Sequence, residues 1–277
     1  AKGASPSADG APAAPRRRRR RPAGIECAFR ENADVHDDIP PDPTGAPGAG
    51  LFSRLTQGLR EHFGSGAAAQ AGQPPPLDAR LAPWAAKVKS AADAVEQIAG
   101  GSHVFVGTAC ATPRALVGAL ESMRYPPADV ELVHFINGGA VPHDDQGRAT
   151  TRFQHRTFFV GSDIRAAVRQ GLAEYVPLSI ARLPQLIANG RVRVDVALIQ
   201  VSMPDEFGYV SLGVSVDVIP AAVAKAKLVI AEVNPNMPRT MGDSMLHVDR
   251  IDCLVPVSSP VGTYTHPATD DQVVERI

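Results

Sequence analysis

Residues 234–240 read Asn-Pro-Asn-Met-Pro-Arg-Thr and follow directly on the apolar run Leu228 to Val233. Prolines hold the backbone nearly fixed, while short amides and free backbone N–H groups donate hydrogen bonds, so such a segment suits recognition of an anion, a carbonyl or a thioester oxygen. Two other segments share this make-up, "GTACATP" at 107–113 and "QVSMPDEFG" at 200–208, each leaving an apolar run with small polar residues and Pro or Gly. In parallel α/β sheets ligands bind in the crevice outside the carboxyl ends of the strands, which is where loops of this kind belong. A plainer reading of the same residues is that these are turns, with Asn234 and Asn236 bonding their own backbone and Pro235 and Pro238 ending a strand.

Other reactive side chains carry weaker signals. Cys110 sits at a strand-to-helix turn, where a helix N-terminus lowers a thiol pKa, but no His and Asn partners can be assigned to it by spacing, and it reads as an incidental thiol. His134, inside an apolar run, reads as a core histidine. Asp205, Glu206 and Glu232 have the chemistry of a base, though isolated acids of this kind are more often solvated or paired. No catalytic residue is assigned. The histidines form no H-x-H or H-E-x-x-H pattern, so no metal site is expected. The sequence also lacks the G-x-S-x-G, G-x-x-x-x-G-K-[ST] and G-x-G-x-x-G motifs of serine hydrolases, phosphate-loop NTPases and dinucleotide enzymes.

These loops need a scaffold, and the chain from Trp84 onward predicts one. Apolar segments rich in Val and Ile alternate with Ala-rich helical patterns, the texture of β-α units around an open, mostly parallel sheet flanked by helices. Helices are expected in "SAADAVEQIAGG", capped by Ser90, and in "RALVGALESM", "DIRAAVRQG", "RLPQLIANG" and "VIPAAVAKA". Strands are expected in "HVFVG", "VELVHFI", "RTFFVG", "VPLS", "VDVALIQVS", "KLVIAEV" and "RIDCLVPV". The alternation in "MPDEFGYVSLGVSVD", around Gly208 and Gly213, predicts a hairpin lying across the strand ends.

Residues 1–80 differ in kind. They are dominated by Ala, Pro, Gly, Ser and Arg, including six arginines at 16–21, a composition too poor in periodic apolar residues to offset ordering entropy. This region is read as a disordered extension, with one short helical stretch in "LFSRLTQGLREHF". The arginine run has the chemistry to meet nucleic acid, acidic lipid or a localisation receptor; its plainer reading is a solvated tail. The 277 residues carry 28 Lys and Arg against 29 Asp and Glu, so there is no general attraction to nucleic acid or to an anionic membrane. Three distant cysteines, Cys27, Cys110 and Cys253, form no disulfide framework and fit a reducing cytoplasm. The first residue is Ala1, so the chain reads as a fragment or a processed form. Its last stretch, "PATDDQVVERI", echoes "SAADAVEQI" and predicts the start of a second α/β unit at 266–277, after a first domain at 81–265.

Three stretches, "VFVGTACATPRAL", "VALIQVSMPDEFGYVSLGVSVD" and "LVIAEVNPNMPRTMGDSMLHVDRID", resemble the N-terminal half of the acetyl-CoA hydrolase/transferase family, 4-hydroxybutyrate CoA-transferases among them. The resemblance spans about residues 84–277 and none of the first eighty. It implies two similar α/β halves facing a common cleft, coenzyme A as substrate and no tightly bound metal or redox cofactor. It further implies transfer of CoA between an acyl-CoA of the acetyl, butyryl or 4-hydroxybutyryl class and a free carboxylate such as acetate. The transfer would run through a glutamyl-CoA thioester, splitting one difficult step into two easier ones, with the Glu in the second half and beyond this chain.

By the same resemblance, Gly107 and Thr108 allow close approach of substrate and Ser202 and Met203 line the cleft. Asn234, Asn236, Met237 and Pro238 present amides and an apolar edge to the acyl group. The implied partners are an acyl-CoA, a small carboxylate and the second α/β half, and a homodimer is expected from the general frequency of two-fold assemblies. An acyl-CoA hydrolase using the same intermediate, and a non-catalytic acyl-binding or interaction module, remain as alternatives.

Overall fold

The computed structural model describes residues 78–263. The expectations for the extension, for a helix at 51–63 and for a second unit after 266 lie outside the described residues.

Seven strands form one wholly parallel sheet. In chain order they are β1 (His103–Val106), β2 (Glu131–His134), β3 (Gln154–Thr157), β4 (Ala173–Tyr175), β5 (Val196–Val201), β7 (Leu228–Val233) and β9 (Cys253–Pro256). Their order across the sheet is β4-β3-β2-β1-β5-β7-β9. Two short strands, β6 (Tyr209–Ser211) and β8 (Met245–His247), pair antiparallel as a separate ribbon.

Side chains alternating along the strands build a core on each face. Val104, Val106, Val196, Leu198 and Ile230 pack with helices α1 (Ala91–Val95) and α2 (Arg114–Glu121). Phe105, Ala197, Ile199, Val201, Val229 and Ala231 pack with α4 (Leu183–Ala188) and α5 (Ile219–Lys225). A sheet buried on both faces explains the nearly unbroken apolar runs, and all six residues of β5 are buried. A smaller cluster gathers Val141, Ala149, Ile164 and Ala173 around α3 (Arg165–Arg169). At the start of α1, Ser90 Oγ accepts a hydrogen bond from Asp93 N at 3.1 Å, the cap its sequence predicts.

Three expectations shift. The third strand ends at Thr157 because its hydroxyl donates to Phe159 O at 2.7 Å and turns the chain, so the two phenylalanines fall beyond it. The fourth strand is Ala173–Tyr175, not "VPLS", since the register with β3 sets His155 against Ala173. It is an edge strand with two exposed residues of three, and it leaves little apolar pattern to read. The segment after β5 is not a hairpin of its own. Its strand β6 finds its partner in β8, 36 residues on in the register Val210↔Leu246.

The strand order reverses direction between β1 and β5. The chain walks outward from β1 to β4, then crosses back to β5 and walks the other way to β9. In doubly wound sheets that reversal opens a crevice at the carboxyl ends of the two central strands.

Candidate active site

The three loops singled out in the sequence all leave the carboxyl ends of adjacent strands: 107–113 follows β1, 202–208 follows β5 and 234–240 follows β7. They stand beside one another on one edge of the sheet, and the reversal lies between the first two. Most of their polar side chains turn inward and fasten the rim.

Asn234 is fully buried. Its Oδ1 accepts from Asn236 N at 3.0 Å, and its Nδ2 donates to Ser259 O at 2.9 Å. The structural reading of this asparagine is therefore correct in part: it bonds the adjoining backbone and also a distant segment. Asn236, by contrast, is exposed. One N–H of its amide donates to Ser259 O at 3.1 Å, which fixes the group and leaves its second N–H outward. Pro238 is exposed as well, and Met237 is buried beneath Gly213. The 257–262 segment thus crosses the rim from the β9 side, and Gly262 N donates to Cys110 O at 3.1 Å in the loop after β1.

Ser202 is buried, its Oγ accepting from Ser211 N at 2.9 Å, which anchors the last residue of β6 to the segment just after β5. Arg239 completes the fastening between the β5 and β7 loops. Its Nη1 donates to Met203 O at 3.1 Å and Tyr209 O at 3.0 Å, and its Nη2 meets Asp205 Oδ2 at 2.9 Å. Asp205 in turn accepts from Phe207 N and Tyr209 N and shapes the turn at 205–209. Arg239 and Asp205 stand within these loops, but no sequence signal assigns them to the site. Their opposite charges, 34 residues apart, give no spacing signal.

In the loop after β1, Thr108 is fully buried and its hydroxyl donates to Asp217 Oδ2 at 2.5 Å, joining the loop to the start of α5. Gly107 is closely packed. A Cβ there would lie 3.2 Å from Leu198 O and 3.4 Å from both Ala111 O and Pro113 Cδ, so the backbone runs where a side chain would push it outward.

Glu232, near the end of β7, is neither solvated nor ion-paired. Its Oε1 accepts from Leu116 N at 2.8 Å, capping the first turn of α2, whose N-cap residue Pro113 offers no side-chain cap. Its Oε2 accepts from Gln200 Nε2 at 3.0 Å, its neighbour in the β5–β7 register. Burial pushes its carboxyl up to about 7, outweighing the backbone amides of Leu116 and Ala115 and the Gln200 amide, which favour the ionised form. With both oxygens engaged, Glu232 acts as a helix cap.

A cavity of about 180 Å³ opens between the β5 and β7 loops, lined by Ser202, Met203, Pro204, Asp205, Met237 and Arg239 among others. It gathers three of the eight proposed site residues. Gly107 and Thr108 share the rim but lie outside its lining, and Asn236 and Pro238 stand exposed near its edge. Ordinary small-molecule pockets hold roughly 300–1,000 Å³, so this hollow has the size of part of one. Among the described residues no three His, Cys, Asp or Glu side chains gather as a metal site, and no helix is long and apolar enough to cross a membrane.

Residues 77–261 match the acetyl-CoA hydrolase/transferase N-terminal domain. The chain belongs to the acetyl-CoA hydrolase/transferase family. Among relatives in this family, it is 42% identical over 185 residues to 4-hydroxybutyrate coenzyme A transferase of Clostridium kluyveri, which covers 67% of this chain and 43% of that protein. It is 32% identical over 187 residues to succinyl-CoA:acetate/propanoyl-CoA:succinate CoA transferase of Fasciola hepatica, covering 67% of this chain and 38% of that one. The crystal structure of RipA from Yersinia pestis superposes with a TM-score of 0.60 at 27% identity, covering 70% of this chain and 48% of RipA. The chain spans less than half the length of these relatives.

Proposed function

We propose that this chain forms the N-terminal wall of a CoA-transferase site that moves CoA between an acyl-CoA and a free carboxylate. The observation that carries the reading is the placing of the β1, β5 and β7 loops side by side on one sheet edge, at the reversal of strand order, in a chain of this family. In this reading Gly107 and Thr108 give the close approach, Ser202 and Met203 shape the wall, and the Asn234–Pro238 loop faces the acyl group. Asn234 holds the loop in place, while the outward N–H of Asn236 is the donor offered to a developing oxyanion. A donor already fixed before reaction needs no reorganisation in the transition state and can contribute on the order of 3 kcal/mol.

The nucleophile in this reading is a Glu of the facing half. Its carboxylate attacks the thioester carbonyl and releases CoA thiolate, leaving a mixed anhydride. The thiolate then attacks the glutamyl carbonyl, releases the free acid as carboxylate and leaves a glutamyl-CoA thioester. An incoming carboxylate reverses the two steps and leaves as its CoA ester. The small size of the cavity on this half supports a site completed by the facing wall.

The reading predicts that Asn236→Ala, in a chain extended through the second half, lowers turnover on the order of a hundredfold while the thermal unfolding midpoint is unchanged within error. Unaltered steady-state kinetics would refute the role of Asn236.

A further inference from the structure

A line of buried and half-buried polar groups leaves the candidate site across β2 and β3, and nothing in the reading above uses it. Asn137, in the loop after β2, donates from Nδ2 to Gly107 O at 2.7 Å. The same loop extends the β1–β2 pairing, with Ala109 N donating to Ile136 O at 2.7 Å. Asn137 Oδ1 and His134 Nδ1 are both buried with no close hydrogen-bond partner, and both residues line one small space. The two atoms make no hydrogen bond to each other in this structure, and Nδ1 is the ring nitrogen that the contact with His155 leaves free to meet Asn137. His134 Nε2 lies 3.1 Å from His155 Nδ1, and His155 Nε2 lies 2.8 Å from Thr151 Oγ1. Thr151 Oγ1 lies 2.5 Å from Glu121 Oε1, while Glu121 Oε2 accepts from Arg152 N at 3.1 Å.

Counting protons along this line fixes its direction. Burial holds His134 down to about 3 and His155 to about 4, so each ring is neutral near pH 7 and has one donor and one acceptor nitrogen. Thr151 has one hydroxyl proton. If Glu121 Oε1 carries a proton, every link has a donor and an acceptor: Glu121 to Thr151, Thr151 to His155 Nε2, His155 Nδ1 to His134 Nε2, and His134 Nδ1 to Asn137 Oδ1. If Glu121 is ionised, Thr151 donates to it instead, both rings change tautomer, and the bare Nδ1 of His134 faces Asn137 Oδ1. Two buried acceptors then confront each other beside the amide that holds Gly107, a cost of unsatisfied buried polar groups that the amide relieves by moving.

We propose that Asn137, His134, His155, Thr151 and Glu121 form a relay that positions the Gly107 carbonyl at the rim, and that a proton on Glu121 closes its open link between His134 Nδ1 and Asn137 Oδ1. Asn137 and the groups behind it are positioning residues, acting on the site through one backbone carbonyl. At Glu121 one oxygen accepts from a backbone amide and the other is set against a hydroxyl that can donate to the carboxylate or accept from the acid. Burial also pushes its carboxyl above the ordinary carboxylate range, against the opposing pull of Thr151, of Arg152 N and of the nearby Arg152 side chain. The other ionisable group beside the relay is Asp163, which lines the space next to His134. Its oxygens are engaged by Gly139 N and Ala140 N, and His143 is its ionisable neighbour.

The test reads the histidine rings of the 277-residue chain directly and needs no substrate, so it stands apart from the proposed activity. With 15N-labelled histidine, two-bond 1H–15N correlations distinguish the Nδ1–H from the Nε2–H tautomer of His134. The relay predicts Nδ1–H at the acid end of the range in which both rings stay neutral, changing to Nε2–H along the same curve as the Glu121 carboxyl 13C signal. Glu121→Gln always offers an N–H to Thr151 and should hold Nδ1–H throughout. Thr151→Val cuts the line and should abolish the response, and if that variant does not fold, the wild-type curve and Glu121→Gln decide. A His134 tautomer that stays fixed across the range in the unaltered protein, or that changes alike in Glu121→Gln, overturns the proposal.

Discussion

Asn234 and Asn236 are two residues apart and of one chemical type, yet they do different work. Asn234 is sealed in and holds both the following residue and the 259 segment, whereas Asn236 is pinned by one N–H and faces outward with the other. Removing the buried Asn234 amide loses its hydrogen bonds to Ser259 O and from Asn236 N, so Asn234→Ala should lower the unfolding free energy by about 1–3 kcal/mol in a denaturant titration. Asn236→Ala should cost well under that.

Glu232 gives a second test at this scale. Its folded carboxyl titrates at about 7 against an ordinary value of 4.5, so its neutral form is the one the fold favours. Its contribution is therefore fully present below about pH 4.5 and is lost as the pH rises through about 7, a change on the order of 3 kcal/mol. His134 and His155 act in the opposite sense. Their folded values lie below the ordinary 6.5, so their contribution is present above that pH and declines as the pH falls toward 4 and 3. The clean readout is thus the difference between the unaltered chain and Glu232→Gln, which should narrow or reverse in the variant's favour from acid to neutral pH. A difference in melting temperature independent of pH would contradict the assignment.

At the scale of elements, the loop after β7 depends on the turn at Gly213. That glycine has φ of +64° and supports Met237, while its carbonyl accepts from Thr240 Oγ1 at 3.0 Å. A Cβ there would both strain the backbone and strike the Met237 side chain, so Gly213→Ala should destabilise the chain by about 2 kcal/mol or more and raise hydrogen exchange at 236–240. Unchanged protection there would show that the loop does not rest on this turn. The parallel sheet was legible in the sequence because strands buried on both faces are apolar throughout, as β5 is. The edge strand β4 and the β6–β8 ribbon were not, since an edge strand has little apolar pattern and the ribbon's pairing joins segments far apart in the chain. The three loops were legible as a group, because Pro, Asn and Gly after an apolar run mark strand exits. Which of their side chains turn inward was not, because Thr108, Ser202 and Asn234 have distant partners at 217, 211 and 259.

For the whole molecule, the described domain offers a rim built to stay still and a hollow too small for an acyl-CoA. The charge balance is nearly even, 28 basic against 29 acidic residues, so recognition rests on local donors at the rim and not on a general field. The most direct measurement is exchange of CoA between acetyl-CoA and a labelled carboxylate, made with this chain alone and with the chain joined to a second half that carries the nucleophilic Glu. The account predicts no exchange by the 277 residues alone and exchange by the joined protein. Sustained exchange by the chain alone would contradict it.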